Sequence, residues 1–134
     1  MKDLRPKVVI IGSFSNPNAL IEEKNRLARQ GFNVIMPTPE WFEKCKGWLT
    51  EHHSHNARTP SSDIVVMKHL HMHEYFRWID QASFVHVYNE KDGKEYYGYN
   101  TVIEIGYCIA KGIPMTSKLP PTVDEFKHIL TIQI

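Results

Sequence analysis

The chain has 134 residues, enough for one domain with its own core and no need of disulfides or a structural metal. Its 16 Lys plus Arg against 15 Asp plus Glu leave a formal charge of +1, which excludes a basic stripe tracking a nucleic-acid polymer and an acidic tail. Two cysteines, Cys45 and Cys108, each in an apolar or amphipathic stretch, read as buried free thiols of a reducing, cytoplasmic compartment.

In chain order, "KVVII" at 7–11 is a β-branched run ended by Gly-Ser, the pattern of a strand buried on both faces of a parallel sheet. It is too short for a signal peptide's core or a membrane span. After "GSFSNPN", the segment "ALIEEKNRLARQG" places Ala19, Leu20, Leu27 and Ala28 on one helical face and Gly31 at its end. "FNVIMP" at 32–37 returns as a second strand, a strand–helix–strand unit whose crossover is right-handed.

The pattern then weakens, with a short helix expected around Trp41 to Cys45 and a lid or binding loop at 47–62. Asp63 is placed to cap a helix through "IVVMKHLHMHEYFRWIDQA", and "FVHVY" at 84–88 supplies a third strand. The turn "NEKDGKEYYGYN" leads to a helix from about Thr101 to Lys111 ended by Gly112. "IPMTS" is the next strand, Thr122-Val-Asp-Glu125 a capping box opening a short helix, and "ILTIQI" a terminal apolar run.

Alternating elements of this kind specify a single α/β domain, flavodoxin-like or Rossmann-like, with a mainly parallel sheet of about five strands in the order 2-1-3-4-5 and helices on both faces. In that order a ligand binds where the winding reverses, beyond the carboxyl ends of the first and third strands. "GSFSN" and "NEKDG" then flank one crevice, with Glu104 at the start of the following helix.

Glu104 has two readings. In the first, Thr101-Val-Ile-Glu104 is a capping box and the carboxylate reaches back to the cap's backbone N–H. In the second it is a nucleophile, kept ionised by the helix macrodipole. The aromatic residues Phe14, Trp48 and Tyr99, all on loops, suit a stacked nucleobase. Gly12 and the backbone after it suit a phosphate or ribose at a helix N-terminus. His69 and His73 share one helical face and His52, His53 and His55 follow the loop, but no Cys or acidic ligand completes a recognised spacing, so no metal is expected.

"VVIIGSF", "IDQASFVHVYN" and "NTVIEIGYCIAKGIPM" together resemble the nucleoside 2-deoxyribosyltransferase-like superfamily, which includes deoxyribosyltransferases and deoxynucleotide N-glycosidases. The resemblance covers most of the chain and is most specific at the Glu-Ile-Gly-Tyr helix start. It implies cleavage or transfer of the N-glycosidic bond of a nucleoside or nucleotide, without a cofactor, and with Glu104 attacking the anomeric carbon. It also implies a substrate site drawn from Gly12, Ser13, Phe14, Ser15, Asn16, Trp48, Tyr75, Asn89, Gly98, Tyr99, Asn100 and Thr101, and a homodimer or higher homo-oligomer. Two positions depart from the family pattern: Tyr75 and Gly98 stand where relatives carry aspartates. A non-catalytic nucleotide-binding module of the same fold is the alternative, and a histidine-based metal-binding protein a more distant one.

Overall fold

The computed structural model describes residues 2–12, 16–37, 62–130 and 132–134. The chain divides into two compact units, Met1–Met36 with Trp78–Ile134, and Pro37–Arg77.

The first unit is an α/β sandwich. Strand β1 (Lys7–Gly12) leads to helix α1 (Pro17–Arg29) and strand β2 (Asn33–Ile35). Later come β3 (Phe84–Tyr88), a hairpin of β4 (Glu90–Lys91) and β5 (Lys94–Glu95), helix α3 (Tyr99–Lys111), β6 (Met115–Ser117) and β7 (Ile132–Gln133). Helix α2 (Ser62–Asp80) supplies the described residues of the second unit after Pro37 and runs on to Asp80. The main sheet is parallel throughout, in the order β2-β1-β3-β6-β7. It is consistent with a flavodoxin-like fold.

The apolar runs account for the centre of the sheet. Val8, Val9, Ile10 and Ile11 are buried, as are Val85 and Val87 on β3, because the crossover helices of a parallel sheet cover both of its faces. Helix α1 starts where its chemistry dictates. Asn16 is the N-cap, its side-chain oxygen accepting from Ala19 N at 3.2 Å, and Pro17 occupies the first turn, where a missing N–H costs nothing. Leu20 and Leu27 face the core. At the far end of α3, Gly112 adopts the left-handed conformation (φ 69°) that closes the helix.

Three expectations are corrected. The turn after β3 is a hairpin, with Asp92 (φ 54°) and Gly93 (φ 77°) both left-handed, the pair of positive φ angles that a tight I′ connection requires. Asp63 lies inside helix α2 (Ser62–Asp80) and is not its cap. The capping box at Thr122 opens no regular helix: residues 124–129 form successive turns, because Thr122 gives its hydroxyl and its backbone N–H to Glu95. The short helix expected near Trp41, Cys45, and positions 47–61 of the expected lid lie outside the described residues.

Gly12 ends β1 against Tyr88, its partner in β3. A Cβ there would sit 2.8 Å from the Tyr88 carbonyl oxygen and 3.0 Å from Tyr88 Cβ. Gly12→Ala is therefore expected to spread the carboxyl ends of β1 and β3 and to cost on the order of 1–3 kcal/mol. Urea unfolding measures this, and an unchanged midpoint would show that the strands part freely.

Candidate functional site

The winding of the sheet reverses between β1 and β3, and the residues beyond these strands converge at their carboxyl ends. Gly12 closes one strand. Asn89, wholly buried, follows the other. Its amide is fully used by the protein: Nδ2 donates to Tyr97 Oη (3.1 Å) and to the Leu119 carbonyl (3.0 Å), and Oδ1 accepts from Leu119 N (2.8 Å). Tyr97 in turn donates to Glu95 at 2.6 Å, and burial together with that carboxylate pushes its hydroxyl up to about 12. Asn89 thus clamps the segment after β6 to the end of β3, positioning the crevice wall.

Helix α3 begins earlier than its sequence advertises. Gly98 is the N-cap, extended (ψ 163°) and without a side chain to cap the turn. Tyr99, Asn100 and Thr101 are consequently the first three helical residues, whose N–H groups have no acceptor within the helix. Thr101 is buried and Tyr99 is 93% exposed. Asn100 Oδ1 is buried with no hydrogen-bond partner among the described residues.

This register removes the capping-box reading of Glu104 and the macrodipole's part in the nucleophile reading. Thr101 is not the cap, so no capping box exists, and Glu104 lies in the second turn, beyond the reach of the terminal dipole. Its side chain is 6% exposed, and no hydrogen bond or ion pair to its carboxyl exists among the described residues. Burial pushes its pKa up to about 8. Cys108, one turn on, is a buried free thiol, pushed up to about 12 by burial and then by Glu104. A neutral carboxyl inside the fold at pH 7, the reverse of the ionised group expected at a helix start, is the most unusual chemical feature of this helix.

The other expected site residues are distributed as follows. Asn16 is exposed at the start of α1, its side chain engaged as the cap. Tyr75 is a buried residue of α2 in the second unit. Ser13, Phe14, Ser15, Trp48 and the histidines at 52, 53 and 55 lie outside the described residues. Among the described residues no group of three or more His, Cys, Asp or Glu is placed to hold a metal ion, and no helix is long and apolar enough to cross a membrane.

No pattern along the chain points to the buried polar network on α1, β3 and β6. His86 is fully buried, with Nδ1 sharing a hydrogen bond with Thr116 Oγ1 (2.7 Å) and Nε2 donating to Glu23 Oε2 (3.0 Å). Glu23 also accepts from Arg26 Nε. Burial alone would raise the Glu23 pKa, but the hydrogen bonds from His86 and Arg26 outweigh it and hold the carboxylate at about 2. Two clefts adjoin at Ala19 and Tyr88: one of about 360 Å³ over Glu23 and Arg26, another of about 470 Å³ between Asn16 and the Asp92-Gly93 turn. Glu104 lines neither.

Compared with known proteins, the chain matches no family model and no curated protein.

Proposed function

We propose that the protein cleaves or transfers the N-glycosidic bond of a nucleoside or nucleotide, with the Glu104 carboxylate as nucleophile, in a flavodoxin-like domain whose sheet order, the hairpin set aside, is 2-1-3-4-5. The observation that carries this reading is Glu104 itself: a buried carboxyl without a structural partner among the described residues. Leaving such a group unsatisfied costs stability, so the fold gains nothing from it that a Leu or Met would not supply. Chemistry at the anomeric carbon does require it. The carboxylate attacks, the C–N bond breaks with its electron pair leaving on the base, and water or a second base resolves the glycosyl-enzyme ester. Gly12 and the Gly98-Tyr-Asn-Thr101 start of α3 hold the sugar and any phosphate, and a homodimer or higher homo-oligomer is the expected assembly.

The departure at Gly98 favours a second reading, a nucleotide-binding module without turnover. Gly98 offers no acid to protonate the departing base, and its lack of a side chain leaves the helix start open to a ligand. A panel of nucleosides and nucleotides, scored for released base by chromatography, separates the two. Base release supports the enzyme; saturable binding with no release supports the module.

The raised pKa fixes the pH profile of the enzyme reading. Below about 8 the carboxyl of the free protein is protonated and cannot attack. kcat/KM is therefore expected to rise tenfold per pH unit on approaching pH 8 and to level off above it. A profile that falls over this range would make Glu104 a proton donor and end the nucleophile assignment.

A further inference from the structure

The network beneath α1 ends on an arginine. Thr116 and Glu23 bracket the His86 ring, His86 and Arg26 share the Glu23 carboxylate, and only Arg26 reaches the 360 Å³ cleft with hydrogen-bonding capacity left over. Its Nε is taken by Glu23, while its two Nη groups have no protein partner among the described residues. Arg29, one turn further along α1, lines the same cleft, and its guanidinium likewise has no ion pair or hydrogen bond among the described residues. Lys118, just after β6, faces them. The cationic lining thus outnumbers the acidic side chains Glu22 and Glu23 by three to two, and Glu23 is already committed to His86 and Arg26.

A guanidinium held through Nε by a buried carboxylate presents its Nη edge in a fixed orientation, the geometry that grips two oxygens of one anion. Basic residues in the last turn of a helix also suit its dipole, but a dipole needs no carboxylate, imidazole and hydroxyl to fix one of them. We propose that this cleft is a binding site for the phosphoryl group of a small molecule, gripped by Arg26 and Arg29 with Lys118 opposite, and that Glu23, His86 and Thr116 are positioning residues for Arg26. The site is separate from Glu104. The crossovers β1–α1–β2 and β3–α3–β6 run in opposite directions across the sheet, so right-handed connections place α1 and α3 on opposite faces.

The test is calorimetric titration of the full chain with pyrophosphate at physiological ionic strength. Saturable one-to-one binding is expected. Arg26→Lys keeps the charge but loses the fork, and should weaken binding about tenfold; Arg29→Gln should weaken it comparably, while Glu22→Gln should tighten it. Glu23→Gln is the discriminating variant. It removes a negative charge, so a purely electrostatic cleft would bind the anion more tightly, whereas loss of the positioning carboxylate weakens binding. Should Glu23→Gln fail to fold by circular dichroism, Arg26→Lys decides. Absence of saturable binding, or binding that Arg26→Lys leaves unchanged because the anion sits elsewhere, overturns the assignment.

Discussion

Replacing Glu104 with Gln should make the protein more stable at pH 9 and abolish turnover, a combination that no capping or core-packing role produces. The stability half follows from the direction of the pKa shift. Burial raises the folded pKa of Glu104 from 4.5 to about 8. Between those values the folded state holds a proton that the unfolded chain has released, so stability falls as pH rises, by up to about 1.4 kcal/mol per unit, and the loss is complete above pH 8. Gln has the same shape and never ionises, so its variant escapes that loss. Thermal unfolding at pH 5, 7 and 9 should show melting temperatures that diverge in favour of Glu104→Gln as pH rises. A difference independent of pH would mean that the carboxyl is solvated in the fold.

The activity half rests on the proposed reaction. Gln fills the site, but its neutral amide oxygen is far too weak a nucleophile to form the glycosyl ester, so base release should fall by orders of magnitude while nucleotide affinity stays within a few-fold. Single-turnover measurements with the substrate found in the panel check this. Thr101→Ala separates aim from chemistry: Thr101 is the third helical residue, not the cap. It should therefore leave helix capping unaffected and reduce turnover only through the packing that orients Glu104.

The contrast between α1 and α3 shows what the sequence disclosed. Helix α1 announces its start with Asn16-Pro17, a side chain that caps and a residue that cannot donate, and the strands announce themselves as β-branched runs. The start of α3 is silent because its cap is Gly98, which acts through backbone conformation alone, while Thr101-x-x-Glu104 three residues on imitates a capping box. The same imitation at Thr122 fails for a nonlocal reason: Glu95, 27 residues away, takes the hydroxyl first. Asp92-Gly93 did carry a local hairpin signal, obscured by strands of only two residues. For the site, Glu104 was legible as an anomalous charge in an apolar stretch, but its protonation was not, since burial is set by the whole fold. His86, Glu23 and Thr116 lie 63 and 30 residues apart, and no pattern along the chain relates them. His86 in "FVHVY" reads as one polar residue of a strand, and only the pairing of Ile10 with His86 and of His86 with Thr116 puts it under α1.

That network should also dominate the acid stability of the fold. Glu23 is 3% exposed and His86 0%, so each depends on the other for hydrogen bonding, and removing one partner strands the rest. His86→Ala leaves the Glu23 carboxylate with Arg26 alone and Thr116 without its acceptor, a loss expected to reach about 3–5 kcal/mol. Replacing both members, Glu23→Leu with His86→Leu, removes the desolvated charge together with its partner and should cost less than the sum of the single changes. The pH dependence has a definite sign. The folded pKa of Glu23 is lowered from 4.5 to about 2, so its contribution, on the order of 3 kcal/mol, is fully present above pH 4.5 and is lost as pH falls from there through 2. Urea unfolding from pH 7 to pH 2 should therefore show a drop in stability below pH 4.5 in the parent that is much smaller in the double Leu variant. An equal drop in both would assign the acid sensitivity to other carboxylates. Because Arg26 is released in the same variant, loss of pyrophosphate binding alongside a retained fold would separate the network's positioning role from its part in stability.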